Sequence, residues 1–465
     1  MTARLTSEER REIGREARRA LPRTAHGSWE PAADRPDPVS LLEEQDRGRL
    51  GFLVPVRHQR MRESEFTFFR GAANIMASDL AHSPDTGFEV QLGGDAHLSN
   101  FGAYASPERA LVFDQNDFDE TLPGPWEWDL KRLAASVMIA SQHLGLPAKQ
   151  ARRATSEVTR SYREAMAKYA EMGHLELWYD HVRVDDLRDH DQGAGPGFDK
   201  RLDRFEKRAT KKTSLHALSK LAEKVDGTWH IRTEAPVLFS LRNGPEGYDP
   251  DEAERAALAA FEAFKPSLDD SRQALLERYE VVDIGVKVVG VGSVGTRCLV
   301  ILLQGRDEND PLFLQAKEAG ASVLEPYLAP SRYDNHGRRV VEGQRLVQAQ
   351  SDIFLGWTVG SGSEVTRDFY VRQLRDWKGS ADITEGTTAN QLAFYGSLCG
   401  LTLARGHARS GDPIAIRSYA GRNDTLDRAV TAFAEAYAVQ NRRDYQLFQQ
   451  AIEQGRLEVA TEESS

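Results

Sequence analysis

The spacing of apolar residues divides the chain into two kinds of region. Apolar positions that recur every third or fourth residue predict amphipathic helices through most of the first 280 residues and again after residue 390. The predicted helices cover residues 2–23, 66–81, 126–144, 148–172, 200–225, 251–264, 337–350 and most of 390–453. After residue 280 short β-branched and apolar runs predict strands instead. These strands cover residues 281–287, 298–303, 312–317, 353–359 and 369–374, and a separate strand covers 88–92.

The order of these elements predicts an α+β protein with four parts. Residues 1–60 are expected to form a helical and extended wrap, and residues 61–279 a helical region. Residues 280–378 form a strand-rich region, and residues 379–465 return to helices. A chain of 465 residues is too long for one ordinary hydrophobic core, so at least two packed units are expected.

Composition narrows the classes of function. A hydrophobic content of 40% with 28% charged residues is typical of a globular protein, and the net charge of −11 argues against nonspecific binding to nucleic acid or anionic membranes. No apolar run approaches the roughly 20 residues of a membrane span, so a cytoplasmic location is expected. The two cysteines stand far apart in apolar runs and indicate buried thiols. No feature specifies an oligomeric state.

An acidic motif follows the strand predicted over 88–92. Asp95 and Asn100 lie five residues apart in a turn rich in glycine, and Asp117 follows Asp95 by 22 residues. Phosphoryl transfer needs a carboxylate to orient a hydroxyl, together with an amide and a second carboxylate to hold Mg²⁺. Gly-Asp and Ser-Asn are also ordinary turn residues. The coincidence of all three residues around a short strand favours the catalytic interpretation.

A glycine-rich loop and a lysine suggest where phosphates would bind. Residues 290–295 read Gly-Val-Gly-Ser-Val-Gly and lie between two predicted strands, as in a kinase-type loop that covers ATP phosphates. Lys317 ends the next strand and is expected to contact those phosphates. The candidate cofactor-binding residues of the loop are Gly290, Gly292, Ser293 and Gly295.

Three further acidic residues have candidate roles. A kinase-type lysine needs a glutamate on a helix, and Glu342 is the preferred partner of Lys317, with Glu325 as the alternative. Asp119 is either a second metal ligand or simply an acidic neighbour of Asp117. Asp129 is expected to tie its helix back to the turn.

These motifs resemble two families. Gly94–Asn100, Asp117–Asp119 and Asp129-Leu130 are similar to the catalytic loop, metal loop and following helix start of the protein-kinase-like superfamily, in particular the aminoglycoside and choline phosphotransferases. That resemblance implies a two-lobe fold, ATP and Mg²⁺ as cofactors, and an acceptor hydroxyl. Nearly the whole chain also resembles the bacterial domain-of-unknown-function family two-two-five-two, through stretches that include Arg57–Met61 and Ala404–Asp412.

The order of the motifs departs from the kinase pattern. The glycine loop comes almost two hundred residues after Asp95 and Lys317 follows the loop, whereas in kinases both come before the catalytic loop. A circular permutation with extra helices accounts for this order. It requires Lys317 and Asp117 to lie within the span of a bound nucleotide triphosphate. Either helix 66–82 or helix 390–407 would then precede the catalytic loop in space.

The resulting hypothesis is a phosphotransferase that acts on a small-molecule or protein hydroxyl. A nucleotide-binding pseudokinase is the alternative, and a metal-dependent phosphohydrolase ranks below both. Two clusters of basic residues are candidate anion sites, with structural ion pairs as the preferred interpretation. They are Arg57, His58, Arg60 and Arg70, and then Arg405, His407 and Arg409.

Overall fold

The computed structural model describes residues 5–190, 197–234, 237–243, 249–288, 290–361, 366–374, 376–380 and 383–460. Its helices are α1 Ser7–Ala20, α2 Pro38–Asp46, α3 Val54–Arg62, α4 Glu65–Gly71, α5 Ala73–Leu80, α6 Trp126–His143, α7 Ala148–Tyr169, α8 His174–Tyr179, α9 Phe198–Thr210, α10 Ser214–Leu221, α11 Pro250–Phe264, α12 Asp270–Leu276, α13 His336–Val347, α14 Ala389–Ser410, α15 Pro413–Ala420 and α16 Thr425–Glu453. Its strands are β1 Glu89–Leu92, β2 Phe101–Ala105, β3 Leu111–Gln115, β4 Leu122–Pro125, β5 Val182–Arg183, β6 Ala222–Val225, β7 Thr228–Ile231, β8 Leu238–Ser240, β9 Glu280–Lys287, β10 Cys298–Gln304, β11 Pro311–Ala319, β12 Gly356–Ser361 and β13 Thr366–Gln373.

The strand-rich region forms one antiparallel sheet of six strands in the order β12-β13-β11-β10-β9-β8. The glycine loop joins neighbouring strands β9 and β10, and Lys317 lies on β11 opposite Cys298 on one side and Tyr370 on the other. Helix α13 connects β11 to β12. Helix α11 packs on the sheet, with Phe261 and Phe264 buried against apolar strand residues. The hydrophobic core of the sheet therefore includes residues that precede 280.

The helical region is built around α6, which is buried along nearly its whole length. Helices α7, α14 and α16 pack around it, and Trp126 at its start stacks on Tyr162 of α7 with ring centroids 5.5 Å apart. These helices surround a large apolar cluster. No helix in the described part of the chain is long and apolar enough to span a bilayer. Both cysteines are buried and unpaired.

Three smaller sheets complete the fold, and one of them contains a segment whose sequence is typical of a turn. Pro123-Gly124-Pro125, which as a sequence indicates a turn, instead lies in β4 and pairs antiparallel with β1. The two strands form an isolated two-stranded sheet. Proline is tolerated there because an edge strand has backbone N–H positions that need no ladder partner. β1 and β4 therefore lie side by side just before the acidic turn and α6.

Two predicted helices are divided in the structure. The helix over 66–81 breaks at Ala72, whose φ of −116° and ψ of 39° are not helical. Arg132 donates a hydrogen bond to the carbonyl of Phe69, and Arg57 donates one to the carbonyl of Gly71. In a continuous helix these carbonyls would accept from backbone N–H groups of the next turn. The stretch 200–225 becomes α9, α10 and β6, with the side chain of Thr213 capping α10.

Candidate functional site

A cavity of about 920 Å³ lies between the six-stranded sheet and the turn that follows β1. Asp95, Asn100 and Asp117 line one wall, and Lys317 and the glycine loop line the other. Its volume falls in the range of roughly 300–1,000 Å³ that small-molecule and cofactor sites occupy. The structure therefore brings together residues that the chain carries almost two hundred positions apart.

The turn at Gly93–Asn100 is held by the first turns of α6. Asp129 accepts backbone hydrogen bonds from Gly93 at 2.7 Å and from Gly94 at 3.0 Å, as its predicted tie to the turn requires. Gly94 has a φ of +82°. A Cβ on Gly93 would come 1.8 Å from Gln115 Nε2, so no side chain fits there without a shift of Gln115. This contact favours glycine at position 93.

Asp95 projects from this turn and is held by Arg132. The Arg132 side chain donates to Asp95 Oδ1 at 2.5 Å. Burial raises the pKa of Asp95, and the charge of Arg132 opposes that shift only in part. His97 accepts a hydrogen bond from the backbone N–H of Ser99, and burial holds its pKa well below the usual value, so its ring is neutral. The turn therefore presents one carboxylate with raised proton affinity.

Asn100 and Asp117 lie on adjacent loops. The carbonyl of Asn100 accepts from the backbone of Asn116 at 2.8 Å, and Asn100 Nδ2 donates to the carbonyl of Asp95 at the same distance. The Asp117 carboxylate remains about one-third exposed and faces the cavity. One amide oxygen and one carboxylate thus stand next to each other at the cavity wall.

Lys317 joins the two walls through Asp119. Its Nζ lies 2.7 Å from Asp119 Oδ2 and 3.9 Å from Asp117 Oδ1. Ser293 Oγ donates to the same Asp119 oxygen, and the hydroxyl of Tyr370 donates to the other at 2.6 Å. Asp119 is therefore fully engaged within the protein.

Opposite charge controls the ionisation of this group. Burial alone would raise the pKa of Asp119, but the charge and hydrogen bond of Lys317 outweigh it and lower that pKa. Burial would likewise lower the pKa of Lys317, yet Asp117 and Asp119 hold it well above its usual value. Both members of the pair are charged at neutral pH.

The glycine loop is fixed by arginines from the N-terminal part of the chain. Arg60 donates to the carbonyl of Gly290 at 2.6 Å, and Arg49 donates to the carbonyl of Val294 at 2.5 Å. The backbone N–H of Leu50 donates to Gly295 at 2.7 Å. Gly290 and Gly295 have positive φ, of 69° and 92°. These contacts occupy loop carbonyls and keep the loop at the edge of the cavity.

Comparison with known proteins gives one match. Residues 49–451 match the family DUF2252, whose description is "uncharacterized protein conserved in bacteria". The chain belongs to this family. No curated protein and no solved structure matches it.

Among the described residues of this DUF2252 chain, neither candidate glutamate pairs with Lys317. Glu342 lies on α13 and pairs with Arg345 at 3.5 Å, while Glu325 lies 3.9 Å from Arg339. Neither is brought to Lys317, whose carboxylate partners are Asp119 and Asp117. From α13 it is Arg339 that reaches this area, where it binds the carbonyls of Asp119 and Thr121. Helix α13 thus contributes a cation that binds the backbone of the loop that carries Asp119.

Several cations of the cavity were missed in the sequence. The lining contains eight lysines and arginines against five aspartates and glutamates, within a protein of net charge −11. Lys212, His216 and Lys220 follow one another at intervals of four residues and reach the cavity from α10 and the residues before it. That spacing is a helical signal that a search for basic stripes would find. The charge of Arg372 and then burial lower the pKa of Lys378, a further lining residue, to about 7.

The basic clusters of the sequence divide between structural and cavity roles. Arg57 and His58 both bind Asp46, at 2.6 and 2.8 Å, and Arg405 binds Asp114 at 2.6 Å. These contacts are structural, in agreement with the preferred interpretation. Arg70 differs, because it lines the cavity and its buried Nε has no hydrogen-bond partner in the described part of the chain. It is thus available to an anionic ligand.

The donors for a metal are few. Among the described residues no group of three or more His, Cys, Asp or Glu side chains is arranged to hold a metal ion. Mg²⁺ needs no such cage, because it keeps several waters and takes one or two protein ligands together with substrate phosphates. Asn100 and Asp117 fit that requirement. Asp119 fits it less well, since both of its oxygens are already bound.

Proposed function

We propose that this DUF2252 protein is an ATP- and Mg²⁺-dependent phosphotransferase with a circularly permuted protein-kinase-like fold. The observation that carries the proposal is the proximity of Lys317 to Asp117 and Asp119, at 3.9 and 2.7 Å, across a cavity that also exposes Asp95 and Asn100. Lys317 and Asp119 are 198 positions apart in the chain, and a permuted kinase cleft would require such a contact between distant segments.

The six-stranded sheet supports the same proposal. Counted from β9, the glycine loop joins the first two strands, the lysine lies on the third, and α13 follows it. This is the order of glycine loop, lysine strand and helix that kinases use. In the proposed permutation this sheet is the N-lobe, and the helices around α6 are the C-lobe.

Each side chain then has a role that its surroundings suit. Asp95, whose pKa burial raises, would accept the proton of the acceptor hydroxyl. Asn100 and Asp117 would hold Mg²⁺, which neutralises charge on the transferred phosphoryl group. Lys317 and Arg70, which both line the cavity, would bind phosphate oxygens. The surplus of cations in the lining suits a polyphosphate better than a neutral ligand.

Phosphate binding by Lys317 has a local cost. The Lys317 ammonium already binds Asp119. Glu342 of α13 does not take the place of Asp119, because it pairs with Arg345. A phosphate must therefore share the lysine with Asp119 or take it over. We expect nucleotide affinity to depend on how firmly Tyr370 and Ser293 hold Asp119.

A thermal-shift titration tests nucleotide binding. Mg-ATP should raise the melting temperature of the wild type, because a ligand that binds only the native state stabilises it. Asp117→Ala should abolish the Mg²⁺-dependent part of the shift, whereas Asp34→Ala, an exposed carboxylate outside the cavity lining, should leave it intact. Absence of any shift with millimolar Mg-ATP would refute the proposal.

A second measurement separates an enzyme from a nucleotide-binding module. Asp95→Asn keeps the shape of the side chain beside Arg132 but removes its charge. ATP turnover should fall about a hundredfold or more while the ATP-induced thermal shift remains, which is typical of the loss of a general base. Binding without any turnover in the wild type would favour the pseudokinase instead.

A further inference from the structure

A second cavity, of about 780 Å³, lies among α1, α7 and the connection from α15 to α16. It shares no lining residue with the candidate active site. Its lining contains one carboxylate, Glu164, and seven arginines. The arginines are Arg11, Arg15, Arg18, Arg23, Arg163, Arg417 and Arg422. In a protein of net charge −11 this is a strong local concentration of positive charge.

The arginines converge because α1 packs closely on α15. Arg11, Arg15 and Arg18 recur at intervals of four and three residues, which places them on one face of α1. Gly14 makes the close approach possible, since a Cβ there would lie 2.3 Å from the carbonyl of Ala415. Four of the seven arginines precede residue 49, where the family match begins, so family membership does not imply this cavity.

Some of these charges are neutralised within the protein. Arg163 forms a bidentate pair with Asp427, at 3.0 and 2.9 Å, and Arg417 lies 2.9 Å from Glu171. Glu8 and Glu12 on α1 pair with the arginines of its own face. These pairs account for four of the seven guanidinium groups.

The other three lack a carboxylate partner. Within the described residues no carboxylate lies within 4.0 Å of Arg18, Arg23 or Arg422. Arg18 donates to the carbonyl of Tyr419, and Arg23 donates to the carbonyl of Ala420 at 2.7 Å, which caps the end of α15. Each guanidinium has five N–H donors, so most remain for a ligand.

The arrangement crowds like charges around a recess. Burial, and then the charge of Arg23, lowers the pKa of Arg18, and burial together with the charge of Arg163 lowers that of Arg23. Gly421 admits this crowding: its φ is +76°, and a Cβ there would lie 2.5 Å from Arg23 Nη1. An anion in the recess would relieve the repulsion.

We propose that this cavity binds a small polyphosphate anion, supplied either as an inorganic chain or as the phosphate chain of a nucleotide. Guanidinium groups match phosphate oxygens with paired hydrogen bonds, and three of them here are free of carboxylates. The concave shape suits a small ligand, and the net charge of the whole protein opposes binding to nucleic acid or an anionic membrane. The proposal does not depend on the phosphotransferase function.

Calorimetric titration of the full-length protein with tripolyphosphate tests it. The double variant Arg18→Ala/Arg422→Ala should bind about tenfold more weakly than the wild type or worse, the loss expected for charge-assisted hydrogen bonds. Arg422→Ala alone should weaken binding without changing the melting temperature, because Arg422 is exposed and, among the described residues, only its backbone carbonyl, which the substitution keeps, has a hydrogen-bond partner. Arg153→Ala, an exposed arginine of α7 outside the lining, should bind as the wild type does.

Titration with ATP distinguishes a nucleotide from an inorganic phosphate chain, and titration with citrate tests selectivity for phosphate. Tighter binding of ATP than of tripolyphosphate, sensitive to the same double variant, assigns the site to a nucleotide, and the reverse order assigns it to an inorganic chain. The substitutions leave the active-site cavity unchanged, so any binding there contributes equally to the wild type and the variants. Equal affinity in the double variant and the wild type overturns the proposal. So does citrate binding as tight as that of tripolyphosphate, or binding only to anionic vesicles or RNA.

Discussion

The two walls of the candidate active site are built in opposite ways. The turn at Gly93–Asn100 is held from within its own neighbourhood, by Asp129 and Arg132 of the helix that follows it. The glycine loop at Gly290–Gly295 is held from far away, by Arg49 and Arg60 near the start of the chain. A buried carboxylate organises the first wall, whereas the second depends on two arginines from a distant part of the chain, Arg49 with a side chain that is 7% exposed and Arg60 with one that is more exposed.

This difference gives the two walls different expected mobility. Buried, fully satisfied hydrogen bonds resist local opening, while segments held by a few partly exposed contacts open at lower free energy. A loop that covers phosphates must move to admit them, and a turn that orients a hydroxyl must not. The pair of Lys317 and Asp119 connects the walls, so changes to the pair, the turn and the loop should have successively smaller effects.

Lys317→Met should have the largest effect on stability. It leaves the Asp119 carboxylate, which is 28% exposed, without its counter-charge, and this costs about 3–4 kcal/mol at neutral pH, the lower part of the range for breaking a buried pair. In the wild type the pKa of Asp119 is lowered, so its stabilisation is present above the unfolded pKa of about 3.9 and is lost as the pH falls below it. In the variant, burial dominates and raises the pKa of Asp119 in the native state. The native state then binds more protons than the unfolded state, so the unfolding free energy decreases from pH 5 to pH 8.

Urea unfolding at pH 5 and pH 8 measures this reversal. The deficit of Lys317→Met relative to wild type should be larger at pH 8 than at pH 5. Glu342→Ala is the matched control, because Glu342 pairs with Arg345 at the surface of α13 and should change stability by less than about 1 kcal/mol. An equal deficit at both pH values would show that Asp119 does not depend on Lys317 for its charge.

Asp129→Ala should have the second-largest effect on stability. It removes the acceptor of the Gly93 and Gly94 N–H groups, and two buried donors left without partners cost about 2–4 kcal/mol. Denaturant unfolding should show this loss. Asp129→Asn keeps an acceptor oxygen and should recover part of the stability. If Asp129→Ala is as stable as the wild type, water or a rearranged turn satisfies these groups and the turn is not the rigid wall.

The sequence predicts these elements unevenly, for physical reasons. Helix α6, the glycine loop and the strand that carries Lys317 follow from local periodicity, and the structure contains each of them. At the break at Ala72, Arg132 and Arg57 bind the backbone carbonyls next to it. Because both arginines come from other parts of the chain, the local sequence pattern does not predict the break. Analogy with kinases predicts a glutamate on α13 as the partner of Lys317, whereas its partner is Asp119 of the acidic motif. Long-range pairings of this kind depend on topology.

Arg60→Ala should have the smallest effect and should act on the loop alone. It removes one charge-assisted hydrogen bond, to the carbonyl of Gly290, and should lower the unfolding free energy by about 1 kcal/mol or less. The loop should open more often, so amide hydrogen exchange in peptides that cover 290–296 should accelerate while exchange over 93–100 stays unchanged. Arg62→Ala, an exposed neighbour on α3, is the matched control and should alter neither segment. Faster exchange in both segments would mean that the two walls move as one unit, and the loop would then have no independent freedom to close over a phosphate chain.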